Sequence, residues 1–518
     1  MTLPLPFQFE KPVRSVGIIG AGPSGLAVAH ALLKEPAPLS ASNSLDPSEP
    51  YFRVTLFERQ DSIGGVWNYA PEKKPATDGY PATQIPAANP LLPDSSDSDN
   101  DWYNAMYRDL ETNIPTNVMH FANTPFLPDT DLFPSGREVR DYVRAYGHDV
   151  EPLVRLRSEV IDAHKEGPSW VVTYRQLDDK QGSAAIKVEQ FDALVLATGH
   201  YDIPYIPDVP GLHDFAAAHE GVVAHAKAFS VPEAYAGKRV LIVGNSASGF
   251  DIASEIAGGG ALQVYRSWSG ASSPPVDKSV QDPRVEDRPL ISEYRASTGE
   301  IIFTDGTSLV LGRDLDHVLY CTGYLYAFPF LKSYVEPASS AGAKSHDSDY
   351  LVQYHSEAKG NNRLYRLYRQ LVYYPDPTLA VMVMTKLTVP FPLAESQGAV
   401  LARIYSGRLS LPSVEAMRAA EREREQEVAR ERGTDDAAAV HGQAFHCLKF
   451  PRDVEYYRSL QKWLDEVVDR PEQGLHPVVW DDAKYELRQR SNQLKLDRVR
   501  KRLDKVREDL DKKKKHKH

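Results

Sequence analysis

One pattern occurs twice in this chain and leaves few folds open to it. Residues 15–33, SVGIIGAGPSGLAVAHALL, pass from a short apolar run through three glycines into a stretch with Ala, Leu and Val at helical spacing. Residues 238–257, KRVLIVGNSASGFDIASEIA, repeat that order. A second strand-like run follows each, FRVTLFE and LQVYRS, and near-copies close both units, DALVLATGH at 192–200 and DHVLYCTGY at 316–324. Continuous apolar runs of this kind suit parallel strands buried on both faces. The expected class is α/β, with two Rossmann-like dinucleotide-binding domains, the second inserted into the first. Pro204, Pro207 and Pro210 mark the boundary, so the division expected is residues 1–206, an inserted 207–330, and 331–518 returning to the first domain with C-terminal helices.

The glycines stand where a pyrophosphate needs them. Gly20, Gly22 and Gly25 form GxGxxG between strand and helix, an arrangement that lets backbone amides and a helix N-terminus face a phosphate with no side chains in the way. Glu58 ends the next strand, where a carboxylate can accept hydrogen bonds from ribose hydroxyls; its spacing of 33 residues from Gly25 exceeds the usual ~20, and a Pro/Ser-rich insertion over 34–50 absorbs the excess. In the second unit Gly244, Ser246 and Gly249 replace the triplet, and Arg266, 17 residues beyond Gly249, stands where an acid would repel a 2′-phosphate. That selects NADPH over NADH, with Ser267 a further hydroxyl donor. Ser24 and Ser248, on the first helical turns, join the cofactor-binding candidates.

Composition excludes other classes. The 518 residues carry a net charge of −11 with acids and bases interleaved, which argues against nucleic acid as a partner. Two cysteines, Cys321 and Cys447, make neither a disulfide framework nor a zinc cluster, and they favour a reducing, cytoplasmic setting. No metal site is expected. The N-terminus lacks the apolar core of a signal peptide, and the late run Leu379 to Met384 is far shorter than a membrane span. Membrane contact is therefore expected to be peripheral at most.

Beyond the two units, helices are predicted over Gly136 to Tyr146, over a solvated, ion-paired 411–433, and over VEYYRSLQKWLDEVV. The tail sets Leu496, Val499, Leu503, Val506 and Leu510 on a short heptad seam that is expected to pack onto its own domain. Residues 71–100 are Pro- and Asp/Ser-rich and are expected to be mobile toward their end. The C-terminal helices are candidate contact surfaces for a homodimer.

Several segments resemble the flavin-containing monooxygenases, in particular the fungal and plant branch. FERQDSIGGVWNY is similar to the family's flavin-side loop, with Gly64, Gly65, Val66 and Trp67; LETNIPTNVMHFANTPF is similar to its flavin-site segment, which places Asn113 at the flavin edge where oxygen reacts. The FxGxxxHxxxY/F signature is matched by Gly221, His225 and Phe229, with His219 in place of the opening Phe. Thr198 and Gly199, and Thr322 and Gly323, resemble the turns that join the family's FAD and NADP domains, and PFPLAESQG resembles its late flavin-contacting helix, with Glu395 and Gln397 as candidates. The likeness implies FAD in the first unit, NADPH in the second, and oxygenation of a small molecule's sulfur or nitrogen by O2 through a flavin C4a-hydroperoxide, assisted by Asn113.

Alternatives stay open at this level. Baeyer-Villiger and N-hydroxylating monooxygenases share the architecture, although Phe229 replaces the tryptophan of the former. A disulfide reductase would need a dithiol, which this chain lacks. A non-catalytic, NADPH-sensing flavoprotein would show the same motifs. His225 reads equally as a base and as a domain-contact residue, and Cys321 reads as a small core residue.

Overall fold

The computed structural model describes residues 5–39, 49–74, 102–177, 184–269, 280–336, 348–353, 363–433 and 443–515. Most of the two insertions noted above falls outside them. The first unit begins with β1 (Ser15–Ile19), helix α1 (Pro23–Lys34) and β2 (Arg53–Phe57). After helix α2 (Gly136–Gly147) come β3 (Val154–Arg155), β4 (Ser158–Glu166), β5 (Ser169–Leu177), β6 (Ala184–Phe191) and β7 (Ala193–Leu196). Helix α2 starts where its sequence says it should, because Ser135 and Glu138 close a reciprocal capping box.

Strands β1 and β7 lie side by side and parallel, with Ile19 opposite Leu196, and β2 flanks β1 on the other side. The chain returns much later to complete this sheet with β18 (Leu367–Tyr368), β19 (Val372–Tyr373) and β20 (Leu379–Val381), so its order is β18-β19-β20-β7-β1-β2-β3. Helix α5 (Pro390–Tyr405) packs on α1 along one face; Gly398 lets the two cross so closely that a Cβ there would lie 3.1 Å from the Val28 Cα. The antiparallel β4-β5-β6 layer covers the other face, burying Trp170, Val172, Tyr174 and Phe191 against Phe57, Leu194, Leu196 and Val381.

From β7 the chain crosses through β8 (Ile203–Pro204) and helix α3 (Leu212–Ala218) into β9 (Val223–His225), β10 (Arg239–Val243), helix α4 (Ala247–Gly258), β11 (Gln263–Ser267) and β12 (Val285–Arg288). An antiparallel trio follows, β13 (Ile291–Arg295), β14 (Glu300–Phe303) and β15 (Ser308–Val310), then β16 (His317–Tyr320) and β17 (Tyr324–Leu325). The second sheet is wholly parallel, in the order β12-β11-β10-β16-β9. The outgoing β8 and returning β17 pair antiparallel, Tyr324 opposite Pro204.

Two of the C-terminal helices depart from expectation. Helix α6 (Val414–Glu431), capped by Ser413, is not solvated all round: Glu421 is buried and accepts from Arg363 Nη2 at 3.1 Å, the Arg366 amide at 2.9 Å and Tyr374 Oη at 2.8 Å. Its support is tertiary, since an exposed-looking Glu/Arg run hides one carboxylate that the β18-β19 hairpin claims. Helix α7 (Arg452–Leu464) is amphipathic as predicted. Helix α8 (Asp482–Lys515) does not keep to its own domain: Val499 and Leu503 pack on Val280, with Phe250 of α4 beside them, so the heptad seam is a bridge to the second unit. Among the described residues no helix is long and apolar enough to cross a membrane, and no cluster of His, Cys, Asp or Glu could hold a metal ion.

Glycine spacing sets a test. A Cβ on Gly25 would sit 1.9 Å from the Gly20 carbonyl oxygen, whereas one on Gly22 meets nothing nearer than the Gly65 Cα at 3.4 Å. Gly25→Ala should therefore cost at least about 1–3 kcal/mol of stability, read as a lower melting temperature with loss of bound flavin. Gly22→Ala should keep the melting temperature of the apoprotein and lose flavin affinity alone.

Candidate functional site

At the carboxyl end of β1 the chain turns through Gly20, whose φ of +105° and missing Cβ let it lie against the Ala197 carbonyl. Gly22 then caps α1 with no side-chain hydrogen bond, so the amides of the first helical turn, Ser24 and Gly25 included, stay open for an anion. Gly65 comes from the side; a Cβ there would be 2.8 Å from the Gly22 Cα. It opens the short turn Gly65–Trp67 that carries Val66, and Trp67 meets Phe391 of α5 edge-on at 6.4 Å. Glu58 is buried at the end of β2, accepting from the Ala21 amide at 2.9 Å and the Gln60 amide at 3.0 Å. A carboxylate has about four acceptor positions, so two remain for ribose hydroxyls. This cradle fits the adenosine and pyrophosphate of a dinucleotide.

The second turn reproduces the first. Gly244 has φ +110° and lies against the Cys321 carbonyl, Ser246 caps α4 without a side-chain bond, and a Cβ on Gly249 would be 2.1 Å from the Gly244 oxygen. Ser248 lies in the first turn of α4. Asn245, which the sequence reading passed over, has both side-chain amide atoms buried and, among the described residues, without a hydrogen-bond partner. Orphaned polar atoms of this kind are costly unless a ligand meets them. Its only sequence signal was an amide residue inside the glycine turn.

Arg266 differs from the open guanidinium expected. Its side chain is 3% exposed and binds Asp287 Oδ1 through Nε at 2.9 Å and Nη2 at 2.8 Å. Ser267 is likewise engaged, donating to the Pro289 carbonyl at 2.7 Å. The parallel register of β11 with β12 sets Arg266 opposite Asp287, a partner 21 residues away that spacing alone does not reveal.

Asn113 is exposed in a loop anchored on both sides. Thr112 donates its amide to the Pro134 carbonyl at 3.0 Å, and Glu111 bridges Ser135. Helix α8 grips the same loop: Lys495 Nζ donates to the Thr112 carbonyl at 2.8 Å, Arg498 holds Glu111 at 2.7 Å and Asp131 at 2.9 Å, and Lys484 reaches the Asn117 carbonyl at 3.0 Å. The late helix candidates are engaged within the protein. Glu395 accepts from the Ala122 amide at 2.6 Å and Tyr146 Oη at 3.1 Å, and burial pushes its carboxyl up to about 7. Gln397 is fully buried, accepting from the Val383 amide at 2.8 Å and donating to Tyr456 Oη at 2.9 Å.

Between the cradles lie the two joining turns. Gly199 (φ +70°) and Gly323 (φ +89°) turn the chain after β7 and β16, with Thr198 beside the first and Thr322 donating to the Tyr205 carbonyl. His225 is buried with its ring 5.1 Å from that of Tyr324, its Nδ1 accepts from the Lys227 amide at 3.1 Å, and burial lowers its pKa to about 3. A neutral, enclosed imidazole is a contact residue here. Gly221 adopts φ +76°, Phe229 packs on Tyr107 with ring centroids 5.3 Å apart, and His219 bonds the Ala296 carbonyl. Burial raises Cys321 to about 12, which rules out a thiolate nucleophile. Asp202 ties the junction, accepting from Lys227 Nζ at 2.7 Å, Arg59 Nη2 at 2.9 Å and Trp102 Nε1 at 2.9 Å. Burial pushes its carboxyl up, and the two cations outweigh that to hold it well below the usual range.

The Flavin-binding monooxygenase-like family matches residues 93–272, and the NAD(P)-binding Rossmann-like domain matches residues 18–92. The thiol-specific monooxygenase of Saccharomyces cerevisiae is 28% identical over 486 residues, 92% of this chain and 91% of that protein. This chain is similar to the flavin-containing monooxygenases over nearly its whole length. Flavin-containing monooxygenase ustF2 of Aspergillus flavus is 26% identical across 92% of the chain and 97% of its own length. The fold is that of the S-allyl-L-cysteine S-oxygenase from Allium sativum, with a TM-score of 0.68, 24% identity, and 96% of this chain and 99% of that one covered. On this likeness the protein is a flavin-dependent monooxygenase that uses FAD and NADPH.

Two charges give measurable consequences. Arg266→Ala should destabilise the protein by about 1–3 kcal/mol in denaturant melts, because a charged hydrogen-bonded pair is lost while Asp287, 32% exposed and also held by Gln281, stays solvated, and the ratio of NADPH to NADH affinity moves by less than about tenfold. Glu395 has a folded pKa of about 7, above the unfolded 4.5, so its contribution to stability is largest below 4.5 and is lost as pH rises through 7. Glu395→Gln should thus melt higher than the parent at pH 8, by an amount on the order of 1–3 kcal/mol, and show no gain at pH 4.

Proposed function

We propose that this flavin-containing monooxygenase consumes NADPH and O2 to oxygenate a soft heteroatom, sulfur in preference to nitrogen, of a small molecule. The observation that carries the reading is the pair of matching glycine cradles, at the ends of β1 and β10, joined by the paired strands β8 and β17. Flavin bound in the first cradle supplies the hydride acceptor and the oxygen-activating chemistry. The protein's own residues do the rest. Gly20, Gly22, Gly25 and Glu58 hold one dinucleotide; Gly244, Ser246, Gly249 and Asn245 hold the other. Asn113 offers a neutral amide donor with no titratable proton to lose, which suits a reaction that must exclude stray acid and base. The turns at Thr198–Gly199 and Thr322–Gly323 would lie beside the two dinucleotides at the junction. This reading divides the chain into 1–206, 207–330 and 331–518. The relatives named for thiol and S-allyl-L-cysteine oxygenation favour sulfur, and two unpaired cysteines fit a reducing compartment.

Purified holoenzyme given NADPH, ¹⁸O2 and an organic thioether should place one labelled oxygen in a sulfoxide for each NADPH consumed. Release of all the label as water or hydrogen peroxide, across thioethers, thiols and amines, would defeat the proposal. Asn113→Ala should still oxidise NADPH, yet yield product at a rate about a hundredfold lower, with the balance appearing as hydrogen peroxide.

A further inference from the structure

Strands β20, β7 and β1 are adjacent and parallel, so their carboxyl ends open on one edge. Ligands of such sheets bind along that edge. Past β20 the chain reaches α5 through a turn in which Val383 (φ +54°) and Leu387 (φ +61°), neither a glycine, take left-handed conformations. Gln397 holds the Val383 amide, the Lys386 amide donates to the His446 carbonyl and the Leu448 amide to the Lys386 carbonyl, so the turn is rigid.

Lys386 sits in this turn. Its ammonium lies 5.0 Å from the centre of the Tyr326 ring and, among the described residues, has neither an ion pair nor a hydrogen bond. Other inset lysines are matched: Lys227 by Asp202, Lys495 by Glu111, Lys74 by the Lys227 and Phe229 carbonyls. Burial lowers the Lys386 pKa to about 8, and the one acidic group acting on it is the Cys447 thiol. His200, directly after the Gly199 turn, is 8% exposed, its ring 5.6 Å from that of Tyr326, and neither of its nitrogens has a well-formed hydrogen bond among the described residues. Burial, then the Lys386 charge, keeps it neutral against a weaker pull from the Val383 backbone, so it has one N–H. Tyr201, its ring 4.4 Å from that of His200, and Leu387, next to Lys386 in the chain, are each 52% exposed and add apolar surface.

An unmatched ammonium, an imidazole N–H without a well-formed bond and apolar surface suit a monoanion with an apolar body. A phosphate dianion would call for more cations, and the cofactors' phosphates have the two glycine cradles. We propose that Lys386 and His200 form a carboxylate-recognition subsite of the oxygenation pocket, so that the enzyme selects heteroatom substrates bearing a carboxylate. The subsite rests on the oxygenase reading above, and its test separates the two.

The holoenzyme is given 3-(methylthio)propanoate or its methyl ester, with binding read from the flavin absorbance and turnover from sulfoxide formation. Lys386→Met should raise the Kd and KM of the acid about tenfold to a hundredfold while the ester shifts by less than about twofold, and Lys386→Arg should restore most of the loss. If acid and ester weaken alike, or neither weakens, the subsite is refuted. Should the wild type bind the acid in a Lys386-dependent manner yet oxygenate neither compound, the subsite stands and the oxygenase reading falls. If Lys386→Met does not retain flavin, wild-type inhibition decides: propanoate must compete with the acid where methyl propanoate at equal concentration does not, and equal inhibition by both refutes the subsite.

Discussion

The antiparallel contact of Ile203–Pro204 with Tyr324–Leu325 governs how this molecule is put together. The chain leaves one dinucleotide unit and re-enters it at a single place, and those two passages hydrogen-bond to each other, the Tyr205 amide to the Gly323 carbonyl. Each passage begins at the carboxyl end of a strand next to a glycine turn, β7 beside the first cradle and β16 beside the second. The crossing thereby fixes the angle between the two sites. Asp202 reinforces it from three sides, with Arg59 from beyond β2, Trp102 from the loop region and Lys227 from beyond β9.

Buried charge is used at joints. Glu35, at the end of α1, is matched by Arg408 at 2.8 Å with Arg403 further off at 3.9 Å, which ties α1 to the chain after α5. Burial raises its pKa against the pull of both guanidiniums. Glu421 does the same between α6 and the β18-β19 hairpin, and Asp453 with Arg488 at 2.7 Å between α7 and α8. Such pairs add little net stability relative to apolar packing, but losing one partner is expensive, so they specify which surfaces meet.

Legibility followed the range of the interaction. The glycine turns, both β-α-β starts, the span of α2 and the amphipathic α7 depend on neighbours within a few residues, and all could be read directly. Arg266 could not, because Asp287 reaches it only through strand pairing. Helix α8 looked like a self-contained seam because a heptad shows which residues are apolar without showing what they meet; its partners Val280 and Phe250 are more than 200 positions away. Glu421 looked solvated because a run of alternating charges hides the one member turned inward. Asn245 and Lys386 stood out only once their surroundings showed what each lacked.

The grip of Lys495 and Arg498 on the loop that carries Asn113 has a consequence for biosynthesis. Ribosomes make proteins from the N-terminus, so the two dinucleotide folds can form before α8, which is made after both of them, reaches the loop. Folding of the two dinucleotide units and bracing of this loop are therefore separate events in time.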